Sequence, residues 1–536
     1  MISVKKAYFL LLITWFPLLG IAQDVKEAKP NWQNLDLEKD GVFGISTEKA
    51  YETILKGKKS KPVVVAVIDG GVDKNHEDLK GIIWTNAVET LNKIDDDKNG
   101  YADDINGWNF IGSNKGSVHY DNLELTRLVR KLQPKYASVV NSTPLEEKER
   151  KEFNQYKELI TSYMDKYQNA QLGQTNYTAL KKYTDTILAK MGNQTPTLAD
   201  FENYHPANDY ESKAVKIIKS QLKEKPDFKK FYDELKDAIE YYNTQINYNL
   251  NIDFNSRDTV GDNYANTQER QYGNNDVIGP DADHGTHVAG IIAANRNNDI
   301  GIKGVANNVR IMCVRAVPNG DERDKDVANS IRYAVDNGAK VINMSFGKDY
   351  SPNKAAVDSA VRYAMSKDVL LVHAAGNDSK NTDKEKNYPN RNYTDTAGLV
   401  IGTAQAWLEV GASGWKNDES LAAEFSNYGQ KAVDVFAPGV DIKSTVPDST
   451  KYKEHEGTSM AAPVVSGLAA LIRSYYPALT AVQVKSIIMQ SVAKVDHKVK
   501  VKDNGTNKRV DFKDICASGG IVNAYNALQL ASKTAK

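Results

Sequence analysis

From Lys61 to Gly71 the chain reads Lys-Pro-Val-Val-Val-Ala-Val-Ile-Asp-Gly-Gly. An apolar run with no alternation cannot leave one face in water, so it predicts a parallel strand buried on both faces. Covering both faces requires helices on each side of the sheet, which gives a doubly wound, mainly parallel α/β architecture. The first charged residue after the apolar run, Asp69, falls at the strand's carboxyl end, where such sheets carry their sites. Later segments repeat the alternation. Helix Val327–Asn337 precedes strand Lys340–Ser345, and helix Lys354–Ser366 precedes strand Val369–Ala374. Strands near Leu399–Thr403 and Val433–Ala437 follow, then helices at Ser459–Tyr475, Val482–Ser491 and Ile521–Ala531.

Two further segments carry chemistry. His284 sits in Asp283-His284-Gly285-Thr286-His287-Val288-Ala289-Gly290, a glycine-flanked helix start. Ser459 sits in Gly457-Thr458-Ser459-Met460-Ala461-Ala462-Pro463, where a turn of small residues enters an apolar helix. Taken singly, Asp69 is a turn former, His284 a cap or core residue, and Ser459 an N-cap. Taken together they supply a hydroxyl, a base to activate it and a carboxylate to orient the base.

These three segments, with Ala374-Ala375-Gly376-Asn377, resemble the catalytic signatures of subtilisin-like serine proteases, the subtilases. The resemblance covers residues about 60–110 and 276–530. It implies a serine endopeptidase that works through an acyl-enzyme. Ser459 would be the nucleophile, His284 the base, Asp69 its orienting carboxylate, and Asn377 an oxyanion donor. His287 would be structural. It also implies that Ser345, Phe346 and Gly347, with Ala374, Ala375 and Gly376, flank an extended peptide substrate bound by strand addition. No cofactor is required for this chemistry. A non-catalytic binding protein on the same fold, or an esterase using the same triad, are the competing classes.

Lys plus Arg equals Asp plus Glu, 69 each, so no global charge favours nucleic acid. Residues 1–22 read as a signal peptide: two lysines, a short apolar run and Gly20-Ile21-Ala22. The expectation is an exported protein, periplasmic or extracellular, with no membrane span after cleavage. Residues 23–61 are expected as a strap docked on the core, too short for a separate propeptide domain. The two cysteines, Cys313 and Cys516, read as buried free thiols rather than a disulfide.

Asp69 and His284 are 215 positions apart, far more than the few tens that the resemblance implies. The excess, residues about 113–273, holds 15 of the 28 tyrosines and several amphipathic stripes. Examples are Phe153-Tyr156-Ile160-Tyr163-Tyr167 and the series from Phe228 to Ile246. The segment is expected to be a helical insertion, either a self-stabilising surface addition or a cap over the cleft. The catalytic domain would then be 62–112 with 274–536. Asp95, Asp97 and Asn99 alternate before Gly100 as calcium ligands do, though a solvated acidic turn reads equally well. Asp78 and Asn298 resemble the family's structural calcium ligands, in a loop one residue longer than usual.

Overall fold

The computed structural model describes residues 28–503 and 505–535. The leader assigned to residues 1–22 lies outside them. The central sheet has nine strands: β1 Val63–Asp69, β2 Gly107–Asn109, β3 Val309–Arg315, β4 Val341–Met344, β5 Leu370–Ala374, β6 Trp407–Ser413, β7 Val435–Pro438, β8 Ala493–Lys494 and β9 Gly520–Ile521. Their spatial order is β8-β9-β7-β6-β5-β4-β1-β3-β2. All neighbours are parallel except β8 and β9. Alternate residues of β1 enter different cores. Val63, Val65 and Val67 pack on one face of the sheet, Ala66 and Ile68 on the other. Each valine or isoleucine so buried contributes about 1.5–3 kcal/mol.

After β3 on one side of β1, the chain crosses to β4 on its other side. That reversal opens a crevice at the carboxyl ends of β1 and β4, a topological switch point. Asp69 ends β1, and Ser345 follows β4 directly.

The helix Thr458–Tyr475 threads the first core and is buried nearly all round, from Met460 to Ser474. Trp32 is buried and its indole N–H meets the carbonyls of Val440 and Asp441 at 3.2 and 3.3 Å. Cys313 lies inside β3, and both cysteines are buried free thiols.

Three expectations need correction. Val400–Thr403 pairs only with Asn392–Thr394 in a two-stranded hairpin, and the sheet strand is Trp407–Ser413. Leu399, Val400 and Ile401 are exposed, so this apolar run caps no core. The last helix starts at Ala524, because Gly520–Ile521 is spent on pairing with β7 and β8. The stripes Phe153–Tyr167 and Leu180–Met191 belong to one 45-residue helix, Glu147–Met191, with no turn between them.

The chain falls into two compact units. One contains Gln171–Asn243, the other Ala28–Ala170 with Thr244–Lys536. In the first, helices Leu198–Asn203 and Asp209–Glu224 bury Phe201, Ala214, Ile218 and Leu222 against Ile187 and Leu188. The second takes in the sheet together with the two roots of the insertion.

Those roots are joined to the sheet by buried ions. Arg323 holds Asp121 through two bonds of 2.7 and 2.9 Å. Glu124 takes Arg127 at 2.6 Å and Lys348 at 3.0 Å. Arg257 and Lys325 bind Asp262, and Arg257 also takes Asp326 at 2.7 Å. Unpaired, each such charge would cost several kcal/mol to bury, so the partners must sit where they do.

Candidate active site

Asp69 emerges from β1 with its side chain only 4% exposed, and His284 opens the helix Asp283–Ala293 above it. The imidazole Nδ1 lies 2.9 and 3.0 Å from the two Asp69 oxygens. A carboxylate can only accept, so Nδ1 carries the proton and Nε2 is left as the basic nitrogen. Close approach here depends on Gly285. A Cβ at that position would lie 2.1 Å from the Gly71 carbonyl and 3.0 Å from Asp69 Cβ. The His284 side chain is 44% exposed, so its outer edge is open to solvent. Burial pulls its pKa down, but the Asp69 charge and hydrogen bond outweigh this and leave it raised, with help from Asp283 and Asp281.

Ser459 occupies the first turn of its helix, and Pro463 leaves the Ser459 carbonyl free. Proline has no N–H, so the Ser459 carbonyl four residues earlier loses its helical donor. The Ser345 hydroxyl fills the gap, donating to Ser459 O at 2.9 Å. In return the Ser459 hydroxyl donates to Ser345 O at 3.1 Å. Ser345 is itself fixed by Asn343, whose amide donates to it at 2.9 Å, and Asn343 accepts from Ser466 at 2.8 Å. The helix of Ser459 and the end of β4 are thus stitched side chain to backbone.

Asn377 follows β5. Its Oδ1 accepts from the Thr458 N–H and the Thr458 hydroxyl, both at 2.9 Å. That leaves its Nδ2 donors for another acceptor beside Ser459. Gly457 has φ of +148°, a conformation that L side chains rarely adopt. A Cβ there would also lie 3.3 Å from Asn377 Nδ2.

Of the residues expected to flank substrate, Phe346, Gly347, Ala374 and Gly376 line a recess of about 290 Å³ together with Ser459 and Asn377. Ser345 and Ala375 stand behind it. The Ala375 carbonyl accepts from Asn387 and Asn427 at 3.1 and 2.8 Å. Asn387, Lys348, Asp321, Leu123, Leu125 and Lys166 also line the recess and escaped sequence reasoning. Thr458 was readable from its place before the serine. Lys166, an exposed residue between the buried positions of its helix, carried no signal.

His287 is buried, and its Nε2 donates to Lys453 O at 3.1 Å. Burial and the neighbouring His455 push its pKa down to about 3, so it stays neutral and away from the chemistry.

Asp95 and Asp97 converge with Glu89, their oxygens within 4.8 Å of one another. The Asn99 side-chain oxygen turns away to accept from the Tyr101 N–H at 2.9 Å. Asp78 meets Asn298 directly at 2.8 Å and accepts from the Ile302 N–H at 3.0 Å.

A doubly wound sheet that brings a carboxylate-held imidazole, a helix-start hydroxyl and an aimed amide to its switch point has the architecture of a serine hydrolase. The chain belongs to the subtilase family, whose model matches residues 60–513. It is similar to a thermophilic serine proteinase of Bacillus sp. (strain AK1), 39% identical over 246 residues, 46% of this chain and 52% of that protein. Thermitase of Thermoactinomyces vulgaris is 44% identical over 192 residues, 36% of this chain and 61% of that one. The chain thus spans between about half and three fifths of those relatives' length. A solved protease of Pseudoalteromonas arctica PAMC 21717 aligns with a TM-score of 0.37 and 31% identity, over 48% of this chain and 74% of that one.

Proposed function

We propose that this chain is an exported serine endopeptidase that cleaves extended peptides through an acyl-enzyme. The observation that carries the reading is the bidentate contact of Asp69 with His284 Nδ1, on a sheet that also presents Ser459 at a helix start. The Ser459 hydroxyl, now resting on Ser345 O, turns onto His284 Nε2 and attacks the scissile carbonyl. His284 takes the proton, and Asp69 stabilises the imidazolium. The Ser459 N–H and Asn377 Nδ2 receive the oxyanion. His284 then protonates the departing amine, and water releases the acyl group by the same route. Export rests on the leader-like residues 1–22, and no helix among the described residues is long and apolar enough to cross a membrane.

Subtilases need no cofactor for the reaction. Glu89, Asp95 and Asp97 offer the hard oxygen donors that calcium prefers, and the proposed role of the ion is structural. Removing calcium with EGTA should lower the melting temperature. An unchanged melt would exclude the cluster and the Asp78–Asn298 pair alike.

The test of the activity is labelling with a fluorophosphonate. Label should appear on Ser459 and vanish in Ser459→Ala. A chain that takes no Ser459-dependent label is a binding protein on this fold.

A further inference from the structure

The recess that begins at Ser459 and Asn377 runs past Phe346 to Leu123, Leu125 and Lys166, all three contributed by the insertion. His284, which must reach the leaving amine, is not part of this lining. The recess therefore receives the residues that remain on Ser459 as the acyl group.

Its far wall is held in place. Asn319 bonds through its N–H to His119 O at 2.8 Å and through its carbonyl to the Asp121 N–H at 3.1 Å. Glu124, between the two leucines, is clamped by Arg127 and Lys348. Its own N–H is held by the Asp321 carboxylate at 2.7 Å. Leu125 is buried and Leu123 half-buried, so the wall presents apolar surface from a fixed backbone.

The charges around the recess are nearly all committed. Lys348 is shared by Glu124 and Asp324 at 3.0 and 2.9 Å. Asp349 and Asp378 lean on Lys380 at 3.0 and 3.5 Å. Among the described residues Lys166 is exposed and has no carboxylate within ion-pair distance.

Building on the peptidase reading, we infer that the insertion forms an acyl-side specificity subsite, in which Leu123 and Leu125 take an apolar side chain and Lys166 a carboxylate. Favoured substrates carry Asp or Glu beside a large apolar residue ahead of the cleaved bond. The insertion is in this respect part of the substrate cleft.

The experiment is digestion of a peptide library read by mass spectrometry, using the full chain and the surface variants Lys166→Ala and Lys166→Glu. Fluorophosphonate labelling of Ser459 in each variant establishes that the fold and site are intact. The native chain should favour Asp or Glu over Lys or Arg on the acyl side by about two- to fivefold, the range of a solvent-accessible ion pair. The preference should shrink at high salt. Lys166→Ala should flatten it and Lys166→Glu should invert it. Labelled variants whose cleavage profiles superimpose on the native one would overturn the subsite alone. Absence of any Ser459-dependent label would remove the peptidase reading and the subsite with it.

Discussion

Replacing Lys348 by Met tests whether buried charge locks the insertion's root to the sheet. Lys348 Nζ lies 3.0 Å from Glu124, 2.9 Å from Asp324 and 2.7 Å from the Glu322 carbonyl, and all four residues are buried. The substitution keeps the stem's volume but leaves two carboxylates short of a counter-ion. Glu124 retains Arg127 at 2.6 Å, and Asp324 retains Ser351 and the Asn353 N–H at 2.9 and 2.7 Å. Removing one partner of a buried pair costs about 3–5 kcal/mol, and the surviving bonds place this case at the lower end. For a cooperative unit of this size the unfolding entropy is about 0.9 kcal/mol per °C, so the melting temperature should fall by roughly 3–4 °C. Scanning calorimetry of Lys348→Met, Glu124→Gln and the double variant gives the coupling. With Lys348→Met already in place, neutralising Glu124 should cost less than it does alone, by about 1–3 kcal/mol. A loss under about 1 kcal/mol, or two effects that simply add, would refute the lock.

Three other outcomes follow from the site and its surroundings. Because the Asp69 charge raises the His284 pKa, kcat/KM should fall as pH drops through a value above the usual 6.5, where the base becomes charged. Asp69→Asn should move that limb to lower pH and cost about 10⁴ in rate, and an unmoved limb would assign it to another group. Glu322 is buried, and desolvation, with Lys348 opposing, pushes its pKa up to about 8. An acid whose folded pKa is raised binds its proton more tightly when folded, so it costs stability as pH rises from about 4.5 to about 8. Glu322→Gln should therefore stabilise the protein at pH 8 and leave it nearly unchanged at pH 4, and denaturant melts at the two pH values check this. Asn377→Ala should lower kcat by about 10²–10³-fold, the range known for this donor in a subtilisin, with KM little changed. Equal turnover would mean the oxyanion is met elsewhere.

What the sequence determined by itself is the fold class and the residues of the proposed triad. A β-branched run ending in Asp-Gly-Gly allows only a strand covered on both faces, so Asp69 had to surface at the sheet's carboxyl edge. Gly285 sits where a Cβ would collide with the Gly71 carbonyl, and Gly457 holds a φ of +148° that L side chains rarely adopt. Such local constraints are written in neighbouring residues, which is why the residues of the proposed triad could be picked out from the sequence. The course of Val400–Thr403 was not legible, because an apolar run of four residues does not say whether a core awaits it. Nor was the bond from Ser345 to the Ser459 carbonyl, which spans 114 positions. The insertion shows the division most clearly. Its amphipathic stripes were visible, but the burial of Glu124 on Lys348, and the arrival of Leu123, Leu125 and Lys166 at the recess beside Ser459, depend on contacts between segments far apart in the chain. Tertiary structure decides those, because the cost of burying a charge is met only by a partner that folding brings to it.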